Sequence, residues 1–246
     1  MKAFWLAWQF LTRLPAPSYD EVSESEIGRS QIYYPLVGLF IGGLLYALAL
    51  WLQQTPLSAA VSAALLLFTW VVLTGALHLD GLADVADAWV GGQGDRERAL
   101  RIMKDPVSGP MGVTAVVMQL LLKFALLQQI LTDGLLVLIL IPALARALVP
   151  LMFMSMPYLR AQGLGRALAD HLPRLAVLFS WLLLFTLAIY LLQLQAVWLL
   201  LSMLVMFFIL RQLYLRYFGG LTGDMVGAAI EVIETGLLLT ALLLNS

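Results

Sequence analysis

TGALHLDGLADVADAWVGGQGDRERALRIMKDPVSGPMG, residues 74–112, decides how the rest of the chain must fold. It holds six of the fifteen acids and four of the fourteen bases in a protein otherwise nearly empty of charge. An apolar run from Leu57 to about Leu79 leads straight into it, so the acids begin where the hydrocarbon ends. Asp80, Asp84 and Asp87 follow at i, i+4 and i+7, a spacing that puts three carboxylates on one helical face. Carboxylates crowded in this way repel one another unless a cation sits among them. The chain offers hard oxygen ligands and no cysteine, so Mg²⁺ or Mn²⁺ is the expected ion. The competing arrangement is a solvated helix end whose acids pair with Arg96, Arg98 and Arg101. At the mouth of an apolar segment that arrangement is less favoured, because charge there is expensive unless it is used.

Composition fits this picture. The chain is 62% apolar and only 12% charged, with a mean hydropathy of +0.93. Such a chain cannot cover itself with polar surface, and runs of about twenty apolar residues recur, each long enough to cross a bilayer. The expected fold is all-α, a polytopic membrane helical bundle of about six to seven transmembrane helices in one domain over residues 1–246. A net charge of −1 argues against nucleic acid as a partner. Without cysteine there are no disulfides, thiolate metal sites or thiol nucleophiles. MKAFWLAWQFLTRLPAP at the start lacks a small-residue cleavage site and reads as a short interfacial helix.

The spans then follow in order. Ile32 to Gln53 contains Gly38 and Gly42, a G-x-x-x-G pair suited to close helix approach. Leu57 to Leu79 is the second span, Val113 to Leu131 the third, Leu135 to Met154 the fourth, Leu175 to Leu192 the fifth and Ala196 to Leu215 the sixth. An apolar tail of span length follows. Of the fourteen Lys and Arg, all but Lys123 and Arg146 lie in the N-terminal segment, the long loops or the stretch after span six, with Arg211 near the end of that span counted there. The short turns at 53–56, 132–133 and 193–195 carry none, so the positive-inside rule places every long loop in the cytoplasm.

Carboxylate-held metal beside clustered Arg and Lys suits phosphoryl transfer, since both neutralise phosphate oxygens and a leaving diphosphate. Arg98, Arg101 and Lys104, with Asp105 beside them, are candidate substrate-binding residues, as are Gly81, where backbone can approach phosphate, and His78. His78 also suits a hydrogen-bonded structural role. Asp80 and Asp84 are the expected metal ligands, and Asp87 is either a third ligand or the general base. A second constellation, Asp224, Glu231 and Glu234 at i, i+7 and i+10, shares one face of the tail helix. Asp224 is a further metal candidate or simply a helix cap. Glu231 completes the catalytic and metal set if the tail folds against span two; the alternative is a structural pair with Arg146.

Beyond these residue patterns the chain resembles the cobalamin synthase (adenosylcobinamide-GDP ribazoletransferase) family nearly end to end. The resemblance rests on FLTRLP at 10–15, YPLVGLFIG at 34–42, LTGALHLDGLADVAD at 73–87, RERALRIMKD at 96–105, GPMG at 109–112 and GGLTGDMVGAAIEVIE at 219–234. Pro106-Val107 departs from a pair that often includes arginine in the family, leaving Arg101 or Lys104 to make that contact. The resemblance implies a Mg²⁺-dependent enzyme acting on adenosylcobinamide-GDP and α-ribazole or its 5′-phosphate, releasing GMP. The expected setting is the inner membrane of a prokaryote, multi-pass and in contact with membrane lipid; a homo-oligomer is compatible with the sequence, which does not fix the oligomeric state. The rival readings are a CDP-alcohol phosphotransferase making phospholipid and an ion-coupled transporter.

Overall fold

The computed structural model describes residues 1–245, the side chains of Asp133 and Asn245 apart; Ser246 of the expected domain lies outside them. Helices account for the architecture, and the described residues pair as strand only at the isolated bridge Tyr158–Leu221. Six helices are long and apolar enough to cross a membrane, with a seventh crossing if a bent pair is taken as one.

The chain opens with α1 (Lys2–Leu11) and α2 (Glu24–Ser30). Ser23 starts α2 by a reciprocal box, accepting from the Glu26 amide while the Glu26 carboxylate accepts from the Ser23 amide. A 3-10 turn at Gln31–Tyr33 runs into α3 (Tyr34–Leu52). Gly38 and Gly42 meet α8 (Val137–Ser155) so closely that a methyl group on either would collide with backbone between Leu138 and Ala143. The G-x-x-x-G expectation therefore holds, and α8 is the partner. α8 is apolar all round and buried on nearly every side, so it forms the axis of the bundle.

α4 (Ala59–Thr74) differs from expectation. The sequence predicts one span from Leu57 to Leu79, but the helix stops at Thr74 and the next, α5 (Leu77–Gly92), turns away by 87°. Gly75 ends α4 in the left-handed region at φ +63°, and Ala76 follows at φ +57°. The alanine is strained there by about 1–2 kcal/mol, a cost that glycine would not carry. α5 does not continue the span but lies across the starts of two others: a methyl on Gly112 would touch Asp87, and one on Gly81 would touch the Asp224 carbonyl. Those glycines open α7 (Pro110–Asp133) and face the start of α12 (Gly223–Asn245). Between α5 and α7 stands α6 (Arg96–Ile102), capped by Asp95, whose carboxylate accepts from the Glu97 and Arg98 amides.

α9 (Leu164–Asp170), α10 (Arg174–Leu192) and α11 (Leu194–Tyr217) complete the set. Phe179, Leu182 and Leu183 on α10 and Phe208 and Ile209 on α11 are exposed, an outward apolar belt suited to lipid. The short turns gather at one end, where the Gln53 amide donates to the Leu131 carbonyl at 2.6 Å. The long segments gather at the other. There the Leu159 amide donates to the Leu221 carbonyl at 2.9 Å, and Gln31 donates to the Leu168 carbonyl at 2.8 Å.

Candidate active site

At that second end lies a cavity of about 440 Å³ bordered by α1, α3, α5, α8, α9 and α12. Asp80 of α5 and Asp224 of α12 both reach it, as do His78, Arg13 and Tyr158. The close seat of α5 on α12 is what brings the two acids together, with Gly81 packed against the Asp224 backbone. Gly81 thus serves helix packing, not the phosphate approach expected of it.

Asp84 lies one turn beyond Asp80. Partial burial pushes its carboxyl up to about 6; the like charges of Asp80, Asp224 and Asp87 add to the shift, and Arg160 opposes it. Asp224 is held by Arg160 at 2.5 Å. Arg160 sits in the loop before α9, and no spacing rule in the sequence joins it to Asp224. The only signal was its presence in a long basic loop.

Asp87 shares the face but has another task. Its Oδ2 accepts from the Gly109 amide at 2.6 Å and its Oδ1 from the Gly112 amide at 2.9 Å. Both oxygens thus cap the start of α7, whose free amides and dipole favour a carboxylate there. This position suits a structural clamp better than the third ligand or general base expected of it.

Glu231 lies deeper and away from the mouth. Its carboxylate stands 3.0 Å from Lys123 Nζ and accepts from Gln119 at 3.3 Å. Glu234 meets Lys123 at 2.6 Å through one oxygen and Arg146 at 2.6 Å through the other. Lys123 also lies over the Trp70 ring, 4.1 Å from its centre. Two acids and two bases therefore neutralise one another inside the bundle. Glu231, expected among the metal and catalytic residues or in a structural pair with Arg146, is paired here, and its partner is Lys123.

Among the predicted phosphate-binding residues, Lys104 borders a smaller cavity of about 260 Å³ together with Arg160 and Thr222. Arg98 and Arg101 are exposed on α6, Arg101 lying 3.9 Å from Glu97. Asp105 accepts from the Val107 amide at 3.0 Å and so shapes the turn. His78 is buried, and its Nδ1 has no hydrogen-bond partner among the described residues.

Among the described residues no three acidic or imidazole side chains already form a metal-binding cluster. Mg²⁺ asks for less, since it commonly binds one or two carboxylates and completes its shell with water and substrate phosphates. Asp80, Asp84 and Asp224, all oxygen donors whose mutual repulsion a cation would relieve, fit that requirement.

A helical bundle with an outward apolar belt and, at one end, a cavity lined by acids with guanidinium groups close by, defines a polytopic membrane protein. The chain belongs to the cobalamin-5-phosphate synthase family, whose model matches residues 3–242. It is 49% identical over 240 residues to the adenosylcobinamide-GDP ribazoletransferase of Pseudomonas putida, covering 97% of this chain and 98% of that one. The protein of the same name from Acinetobacter baumannii is 46% identical over 245 residues, covering 98% and 96%. That of Pseudomonas fluorescens is 50% identical over 244 residues, covering 97% and 98%. No solved structure matches the chain.

Proposed function

We propose that this protein transfers the phosphocobinamide group of adenosylcobinamide-GDP to a ribose hydroxyl of α-ribazole or α-ribazole 5′-phosphate, in the last steps of cobalamin assembly. The observation that carries the proposal is the convergence of Asp80, Asp84 and Asp224, with Arg160 beside them, on one charged cavity mouth. The hydroxyl oxygen forms a bond to the phosphorus next to the aminopropanol arm. The bond from that phosphorus to the bridging oxygen breaks, GMP leaves with the electron pair, and the hydroxyl proton passes to a carboxylate of the α5 face.

Asp80 and Asp84, with Asp224 from α12, would hold Mg²⁺. Bound there, the ion would neutralise the diphosphate and the charge that grows on the leaving GMP. Lys104 and Arg160 attract the same phosphates, while Arg98 and Arg101 raise the local positive potential from the surface. Asp87 fixes the start of α7 so that the α5 face keeps its shape. The membrane is the prokaryotic inner membrane, and the mouth faces the cytoplasm, a reading supported by the base-free short turns at the far end.

The test is turnover by the purified protein in lipid nanodiscs, followed as GMP release from adenosylcobinamide-GDP and α-ribazole. Mg²⁺-dependent release is expected. Binding of CDP-diacylglycerol in place of the corrinoid nucleotide would instead support the phospholipid enzyme. Particle mass in the same nanodiscs decides whether copies associate.

A further inference from the structure

The cavity at the mouth has a lining of two kinds. Arg13, Asp80 and Asp224 bring charge to it, and Tyr34, Phe153 and Ile230 bring apolar surface. Tyr34, Phe153 and Ile230 are themselves buried, so the apolar part is built into the core instead of scraped from the surface. His78 lies on the wall, 5% exposed. Its Nδ1 is a buried polar atom that no group of the described residues satisfies. Buried polar atoms are nearly always hydrogen-bonded, and leaving one unmet costs free energy that a bound ligand recovers.

The function proposed above requires two substrates of different shape and charge. One is a large corrinoid carrying a nucleoside diphosphate. The other is a planar, methylated benzimidazole on a ribose, largely uncharged apart from an optional phosphate. A cavity of about 440 Å³ lies toward the small end of the usual ligand-pocket range of roughly 300–1,000 Å³. That size suits a single nucleoside and excludes a corrin ring system. Electrostatics agree. Lys104 and Arg160, the bases that draw the diphosphate toward the acids, border the neighbouring cavity and not this one. A guanine edge, rich in donors and acceptors, would find little to bond among Tyr34, Phe153 and Ile230, and burying it unpaired is costly.

We propose that this cavity is the acceptor subsite, in which the benzimidazole base lies against Tyr34, Phe153 and Ile230 and a ring nitrogen accepts from His78 Nδ1–H. The assignment rests on the function proposed above. The ribose then lies toward the rim, its attacking hydroxyl between Asp80 and Asp224. Arg13 is exposed at the same rim, next to the left-handed Gly75, and suits the 5′-phosphate of the phosphorylated acceptor. His78 is by this account a binding residue for the base. The corrinoid nucleotide approaches from the Lys104 and Arg160 side, so the two substrates meet at the acids.

Steady-state kinetics of the detergent-purified full-length protein test this, with calorimetric titration of α-ribazole alone in parallel. Val226→Phe adds bulk at a half-buried position on the cavity wall, and Leu164→Trp adds it at an exposed rim position where folding is not threatened. Each is expected to raise the KM for α-ribazole by about tenfold and to weaken its binding in the titration, leaving the KM for adenosylcobinamide-GDP within about twofold. His78→Phe should do the same, while His78→Asn, whose amide nitrogen falls near the Nδ1 position, should restore most of the affinity. A rise in the corrinoid KM with the acceptor KM unchanged would overturn the assignment, as would no change in either. If the wild-type protein binds α-ribazole and the filling variants do not, yet no transfer is seen, the subsite stands and the function proposed above fails. Wild-type protein that does not bind α-ribazole at all defeats the subsite.

Discussion

Lys123 of α7 and Glu234 of α12 stand 2.6 Å apart in the interior, with Glu231 at 3.0 Å from the same ammonium and Arg146 on the other oxygen of Glu234. Among the described residues Glu234 is therefore the only acid that touches both buried bases, and removing it takes a counter-charge from two cations at once. Glu234→Ala should lower stability by about 3–5 kcal/mol, the usual cost of breaking a buried pair from one side. Thermal unfolding in detergent measures this, and an unchanged midpoint would show that the cluster contributes little.

Glu231 separates structure from catalysis. Glu231→Gln leaves Lys123 with its Glu234 contact, so a melting point lower than wild type is expected with the Mg²⁺ concentration for half activity unchanged. A shifted Mg²⁺ requirement at wild-type stability would return Glu231 to the metal site.

Asp80 and Asp84 should behave in the opposite way. Asp80 is exposed and Asp84 half-buried, so Asn at either position should leave folding intact while turnover falls to background. Wild-type rates in Asp80→Asn or Asp84→Asn at ordinary Mg²⁺ would sink the ligand assignment.

Asp87→Ala should cost about 1–2 kcal/mol, the range for losing a helix cap, because two amides at the start of α7 lose their acceptor. Melting in detergent shows the loss. The Mg²⁺ dependence of any remaining activity should match wild type.

The raised carboxyl of Asp84 gives stability a pH dependence of definite sign. Its pKa is about 6 in the folded protein against the ordinary 3.8, so the folded state holds the proton more tightly than the unfolded chain. Stability is therefore lost as pH climbs from about 4 to 6, and in EDTA the melting point should rise when pH is lowered from 7 to 5. High salt should weaken the effect, since the group is partly exposed. Asp84→Asn should abolish this gain, and saturating Mg²⁺ should diminish it. An identical gain in wild type and variant would trace it to another group.

Orientation is open to direct labelling, because the chain has no cysteine. Cysteine placed at Gln54 or Gln193 should react with an impermeant maleimide from outside intact cells, and cysteine at Gln93 should not. The reverse pattern would turn the active site outward.

Much of this was legible before any coordinates. Hydropathy located the spans to within a few residues, and Gly38 and Gly42 announced a close helix contact, though not that α8 would fill it. The turn at Gly75 and Ala76 was hidden, because both residues sit in an apolar run and hydropathy carries no direction. Asp80 and Asp224 could each be placed at the mouth from spacing alone. The fate of Glu231 could not, since whether it meets Lys123, Arg146 or a metal depends on how α12 is rotated against α7. Spacing makes Asp87 a third ligand or a general base because side-chain spacing is visible in sequence, whereas the free amides of a helix start are not. Arg160 and Arg13 were missed as site residues because each reaches the mouth from a loop that only tertiary packing brings there.

The order in which the buried charges are made has a cost for the ribosome and the insertion machinery. Lys123 precedes its partners by 108 and 111 positions, and Arg146 precedes Glu234 by 88. During synthesis α7 and α8 are thus delivered toward the bilayer as cation-bearing segments whose counter-charges have not yet been translated. Until α12 arrives, these bases must be sheltered by the translocon, by water or by lipid headgroups. The same helix supplies Asp224 and one wall of the cavity, so charge neutrality and a usable mouth arrive together. A chain that stops before α12 leaves Lys123 and Arg146 without the carboxylates that later neutralise them.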